Sequence, residues 1–185
     1  MQNPKIKGKV LDTIICDFNR CKTTQIKYLY IAIVIMLIKD RGFNYIFWLR
    51  LSSCKNGILS FIAKCIKHFL STLYGIQIPT CTQIGKDFRI NHGVGIIINQ
   101  NAIIGDYVTI HQLTTIGSWL KNKAAQIGDN VTIGPNTCIV DDVKIGKNVI
   151  IGAGSVVVKD IPNDCIAAGN PAKVIRVSSQ KMAIN

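Results

Sequence analysis

The sequence predicts a mainly β fold, a parallel β-helix of hexapeptide repeats behind an α-helical extension. Three observations carry this. From Ile78 onward an Ile or Val heads each hexad, at 78, 84, 90, 98, 104, 110, 116, 127, 133, 139, 145, 151 and 157. Gly follows it at 85, 105, 117, 128, 134, 146 and 152. The period is six, which is neither the helix period nor the strand period. One short strand and one bend per hexad accounts for it, and three such faces close a triangular coil. In this reading the branched residue points inward, and Gly permits backbone angles closed to other residues.

The chain ahead of the repeat reads as helical. A short arm carries Lys5, Lys7 and Lys9. The segments "VLDTIICDFNR", "IKYLYIAIVIMLIK" and "FNYIFWLRLSS" follow. The clearest helix is "ILSFIAKCIKHFLSTLY", where Ile58, Ile62, Cys65, Ile66, Phe69 and Leu73 form one stripe at helical spacing. Lys64, Lys67, His68 and Ser71 fall mostly on the other side, so His68 is expected in solvent. Gly75 ends the helix. The expected layout is a helical region over 1–75, a β-helix over 76–162 interrupted by a loop at 118–126, and a tail over 163–185.

Charge and cysteine usage narrow the function classes. The net charge is +12, and it is uneven: residues 1–73 hold 12 Lys/Arg against 3 Asp/Glu, residues 74–185 hold 10 against 7. A basic end suits an anionic ligand or an anionic membrane surface. Nucleic acid is disfavoured, because the basic stretches carry few interleaved aromatics. The seven cysteines contain no C-x-x-C pair and no signal peptide precedes them, which predicts free, buried thiols in a reducing cytoplasm and no metal site. The apolar run Tyr28–Ile38 is eleven residues long, about half of what a membrane span requires. It reads as a buried or interfacial helix.

Within this frame Leu70–Val177 resembles the left-handed β-helix acetyltransferases, in particular the serine acetyltransferases and the acetyltransferases of bacterial surface polysaccharides. The resemblance rests on "INHGVGIIIN", "VTIHQLTTIG", "IGAGSVVVKDIP" and "AAGNPAKVIRV". It implies a left-handed coil, acetyl-CoA as co-substrate and a homotrimer. It also implies that CoA lies along a prism edge with its thioester near His92.

Two breaks in the period bear on that site. Two extra residues lie between Ile90 and Ile98, and five between Ile116 and Ile127. Stacking the third faces at 90, 110, 133 and 151 puts His92, Gln112, Pro135 and Ala153 in one column. The bulge beside His92 re-aims the chain there.

Acetyl transfer to a hydroxyl needs a base, because an alcohol is a poor nucleophile at neutral pH, and histidine suits that role. By the resemblance His92 occupies the catalytic position. Its bland alternative is a turn histidine bonded to backbone. His111 is a second candidate, acting across a subunit boundary or simply exposed at a corner. Backbone N–H groups at Gly117 and Ser118 are candidate oxyanion donors. Trp119 in the loop either stacks on a sugar or packs the loop, and Lys121 and Lys123 read as solvated loop charges. Lys159 and Lys173, with Pro135 and Ala153, are candidate CoA contacts. Asp141 and Asp142 read as surface charges.

Where the serine acetyltransferases place aspartates, this sequence has Asn91 and Gln77. A serine ammonium would lose its expected partners, whereas neutral sugar hydroxyls are served by amides such as Asn91, Gln77 and Gln112. The first expectation is therefore O-acetylation of a hydroxyl on a capsule, exopolysaccharide or O-antigen glycan or its lipid-linked precursor. The N-terminal helices would hold the trimer or touch the inner face of the membrane. Serine O-acetylation and a non-catalytic scaffold are the alternatives.

Overall fold

The computed structural model describes residues 10–21, 29–54, 57–119 and 123–177. The lysine arm (Lys5, Lys7 and Lys9), Tyr28 and Lys121 lie outside them. Four helices come first: α1 (Val10–Cys21), α2 (Leu29–Lys39), α3 (Arg41–Ser52) and α4 (Gly57–Tyr74).

The repeat then winds into three stacked parallel faces, as the hexads require. The first face holds β1 (Gln83–Ile84), β4 (Ile103–Ile104), β7 (Gln126–Ile127) and β10 (Lys144–Ile145). The second holds β2 (Arg89–Ile90), β5 (Thr109–Ile110), β8 (Thr132–Ile133) and β11 (Ile150–Ile151), then β13 (Cys165–Ala168) and β14 (Lys173–Val177). The third holds β3 (Ile97–Ile98), β6 (Thr115–Gly117), β9 (Cys138–Val140) and β12 (Val156–Val157). Ile90, Ile110, Ile133 and Ile151 pair in register down the second face. All four are buried, and so are their counterparts on the other two faces. Past residue 162, β13 still pairs parallel with β11, and β14 turns back antiparallel onto β13.

The second-position glycines serve a different purpose from the one expected. None of the seven has a positive φ. That conformation falls instead on Asp87, Tyr107, Asn130, Asn148 and Asp164, two residues after the glycine column. Six of the glycines are needed because successive coils touch: a Cβ on Gly85 would lie 2.5 Å from the Gly105 carbonyl oxygen, and one on Gly128 would lie 2.8 Å from Gly146, whereas one on Gly117 would meet only Thr115 Cγ2 at 3.7 Å.

Helix α4 also departs from expectation. It packs through Ser60, Ala63 and Leu70, while Ile58, Ile62, Phe69 and Leu73 of the apolar stripe are 48–77 % exposed. Small residues let α4 approach α3 closely, and Ser60 Oγ donates to the Ser52 carbonyl at 2.7 Å. Lys67 turns inward and donates to the Ile78 carbonyl at 3.0 Å. His68 is exposed, as expected. The cysteines are all free, but only Cys21 and Cys165 are buried, and Cys65 and Cys81 are exposed. Burial pushes the Cys21 thiol up to about 12. No described helix is long and apolar enough to cross a membrane.

One ion pair joins helices to prism. Asp17 of α1, fully buried, accepts from Arg50 Nε of α3 at 2.9 Å and from the Phe88 backbone N–H at 2.9 Å. Arg50 also donates to the carbonyls of Ile84 and Gly85. Burial pushes the Asp17 carboxyl above its usual range, while Arg50 and the Phe88 N–H pull it back. Because both side chains are inside, this pair behaves as a buried one. Removing a single partner strands a charge, which costs about 3–5 kcal/mol. Arg50→Ala should lower the unfolding free energy by that amount in urea melts, and Asp17→Ala/Arg50→Ala should cost less than the two single losses added. Additive losses would show that the pair does not act as a unit.

Candidate active site

The geometry of the site follows from where the two extra residues fall. Backbone N–H groups of Asn91, His111, Gly134 and Gly152 bond to Ile110, Ile133, Ile151 and Ala167, so these four are equivalent. Gly95, Leu113, Asn136 and Gly154 are equivalent in turn: they bond to Tyr74, Val94, Gln112 and Pro135, and all have φ between 56° and 68°. A regular coil has one residue between these columns. The first coil has three, His92, Gly93 and Val94, and Val94 is the one stacked over Gln112. His92 and Gly93 are therefore the insertion itself. The expected column of His92, Gln112, Pro135 and Ala153 is corrected to Val94, Gln112, Pro135 and Ala153, because the insertion carries His92 off the regular edge.

His92 is exposed, has a φ of 53°, and among the described residues its imidazole has no hydrogen-bond partner. Gly93 is pinned beneath it against α3, where an added Cβ would lie 3.0 Å from the Gly42 nitrogen. Gly42 in turn abuts Ile90, since a Cβ there would meet the Ile90 carbonyl oxygen at 2.1 Å. The start of α3 is thus pressed against the insertion, and glycine is what both sides need.

The result is a cleft of about 520 Å³ lined by Lys39, Asp40, Arg41, Arg89, Asn91 and His92, with Ile90, Gly93 and Val94 behind them. Asp40 caps α3, its Oδ1 accepting from the Phe43 N–H at 2.9 Å. The Arg41 guanidinium lies 5.9 Å from the Tyr74 ring. Arg89 Nε is buried without a partner among the described residues. Sequence reasoning missed Lys39, Asp40, Arg41 and Arg89. The Asp before a helix was a legible start signal, but nothing local announces that this helix meets residue 90.

The remaining candidates are dispersed. His111 is half-buried. Its Nδ1 lies 2.9 Å from the Ile133 carbonyl oxygen, and its Nε2 lies 3.0 Å from Asn91 Nδ2. Gln112 is half-buried, and its Oε1 has no partner among the described residues. Gln77 lines a separate cleft with Lys67 and His68. Gly117, Ser118 and Lys159 occupy the corner between the third and first faces, whereas Pro135 and Ala153 lie on the corner between the second and third. Lys173 starts β14 and is exposed. Trp119 is 90 % exposed, and its backbone N–H donates to Asp141 Oδ1 at 3.1 Å. Asp142 pairs with Lys123 at 3.1 Å. Among the described residues no cluster of His, Cys, Asp and Glu could hold a metal ion.

Comparison with known proteins agrees with this architecture. Residues 124–159 match the family described as bacterial transferase hexapeptide (six repeats). The chain is 38 % identical over 127 residues to a serine acetyltransferase of Synechocystis, covering 67 % of this chain and 51 % of that one. It is 37 % identical over 117 residues to serine acetyltransferase 4 of Arabidopsis thaliana, covering 62 % and 33 %. It therefore spans about half or less of the length of these relatives. Among solved structures, serine acetyltransferase of Neisseria gonorrhoeae superposes with a TM-score of 0.77 at 25 % identity, over 92 % of this chain and 67 % of that one. The soybean enzyme complexed with serine gives 0.74 at 25 % identity, over 90 % and 69 %. The fold is a left-handed parallel β-helix of hexapeptide repeats, and the chain resembles the serine acetyltransferase branch of that fold.

The positive φ of His92 separates a structural role from a chemical one. A left-handed conformation costs an L-residue about 1–2 kcal/mol, against roughly 0.5–1 kcal/mol of chain entropy for Gly. His92→Gly should therefore unfold in urea at or above the wild-type midpoint. A lower midpoint would show that the imidazole holds the turn.

Proposed function

We propose that this chain is an acetyl-CoA-dependent O-acetyltransferase in which His92 is the general base, and that its acceptor is the hydroxyl of L-serine. The observation that carries the reading is the insertion, which presents an unpartnered imidazole to a cleft holding charges of both signs. Acetyl-CoA supplies an activated acyl carbon and a thiol leaving group. His92 takes the proton from the acceptor hydroxyl as its oxygen bonds to the acyl carbon. It returns that proton to the departing thiolate once the carbon–sulfur bond breaks. The unpartnered Gln112 Oε1, one step along the same edge, fits a ligand donor, and Pro135 and Ala153 continue that edge.

Two things support serine. The relatives and structural neighbours described above are serine acetyltransferases. The cleft also answers the objection raised by Asn91 and Gln77: Asp40 offers a carboxylate for an ammonium, and Arg41 and Arg89 offer guanidinium groups for a carboxylate. A glycan hydroxyl is the second reading, favoured by the neutral amides of Asn91 and Gln112 near His92. The partnerless imidazole argues against a scaffold without chemistry.

A homotrimer is part of the proposal. Gly117, Ser118 and Lys159 sit on a different prism edge from His92, so one bound CoA would meet both sets only where the edges of two copies come together. The exposed stripe of α4 supports a share for the helices in that assembly.

The test is an assay with acetyl-CoA and either L-serine or a panel of bacterial oligosaccharides, with products read by mass. Wild type should acetylate serine, and His92→Ala should lower turnover by about 10²–10⁴. CoA should still raise the melting temperature of His92→Ala, because it binds the native state alone. Lys159→Ala and Lys173→Ala should reduce that rise without abolishing turnover at saturating acetyl-CoA. Transfer to a sugar and none to serine would move the acceptor to the second reading. Neither transfer nor stabilisation by CoA would leave the scaffold.

A further inference from the structure

We infer that His111 is a positioning residue: it fixes the side-chain amide of Asn91 with nitrogen toward the ring, leaving the amide oxygen for the molecule that enters the His92 cleft. The inference rests on the reading of that cleft as the acceptor site.

Hydrogen-bond polarity fixes the orientation of this amide. Asn91 and His111 are column neighbours on successive coils, which is why their side chains meet. The Ile133 carbonyl oxygen can only accept, and it receives the His111 backbone N–H at 3.1 Å as well as facing Nδ1 at 2.9 Å. Nδ1 must therefore carry the ring proton, and in a neutral imidazole Nε2 is then a bare lone pair. A lone pair 3.0 Å from the Asn91 amide selects its NH₂ end, since the oxygen there would set two acceptors against each other. The fixed carbonyl of Ile133 thus dictates, through one ring, which end of Asn91 is tethered. Asn91 belongs to the cleft wall, and the atom left over is an acceptor. It suits an entering group with a proton to donate, an ammonium or a hydroxyl. An aspartate at 91 would set only acceptors against the Nε2 lone pair of a neutral ring, whereas the Asn91 amide supplies the donor that this lone pair needs.

The experiment has a spectroscopic arm and a kinetic arm. The protein contains three histidines, so ¹⁵N-histidine spectra are assignable from single substitutions at 68, 92 and 111. Long-range proton–nitrogen correlations at neutral pH should show His111 as the Nδ1–H tautomer. The Nε2–H tautomer would overturn the inference whether or not the protein acetylates anything. In the kinetic arm, His111→Phe and Asn91→Ala should each raise the acceptor KM by about 5–30-fold, the worth of one positioned hydrogen bond, with the acetyl-CoA KM unchanged. The double variant should be no worse than the poorer single one. His111→Gln, whose amide oxygen can stand in for Nε2, should recover most of the loss. Additive effects, an unmoved acceptor KM, or no recovery by Gln would overturn it. If no acceptor is acetylated at all, the proposed function fails, and the tautomer alone decides this inference.

Discussion

The structure depends on a steric constraint: each face of each coil admits one inward residue of the Ile or Val type, and at Gly85, Gly105, Gly128, Gly134, Gly146 and Gly152 the coils stack too closely for a side chain at the next position. The core is accordingly a set of registered aliphatic columns, with Ile110, Ile116, Ile133 and Ile139 fully buried. Each coil's hydrogen bonds are completed by its neighbours, so stability passes along the prism between adjacent coils. Such a frame is rigid and repetitive, and it tolerates extra residues only where they leave the corners. His92 and Gly93 are one such departure, and the loop after Gly117 is the other.

A projecting turn needs support that the repeat cannot give. Here the helices supply it. The first turn of α3 lies against Ile90 and Gly93 through close glycine contacts, and the one between Gly42 and Ile90 admits no side chain. The Asp17–Arg50 pair holds α1 and α3 on the same coil, reaching Ile84, Gly85 and Phe88. The helices therefore build one side of the cleft wall, through Lys39, Asp40 and Arg41. Asp40 and Arg41 enter the site as consequences of where a helix begins.

The repeat was legible in the sequence because one side chain per hexad is periodic in the chain as well as in space. The register 90, 110, 133 and 151 followed from counting, and so did both breaks. The exact place of an insertion within a turn did not, because Asn91 through Val94 offer no internal marker of which pair is extra. Counting alone therefore puts His92 in the column that Val94 occupies. The sequence locates the glycines but not their reason, since close stacking and positive φ both favour glycine. The α4 stripe identifies a helix, but periodicity says only that one face is apolar and not which partner covers it. Lys39, Asp40, Arg41 and Arg89 were not legible as site residues, because the contact joining residues 40 and 90 is made by packing alone.

The central claim is that the His92 cleft receives the reacting end of acetyl-CoA. Titrating CoA into ¹⁵N-histidine-labelled protein measures this most directly, because His68 lies in the separate cleft with Gln77 and serves as an internal control. The account predicts that the ring signals of His92 move saturably while those of His68 stay in place. Saturable binding of CoA that leaves the His92 signals unmoved would contradict it.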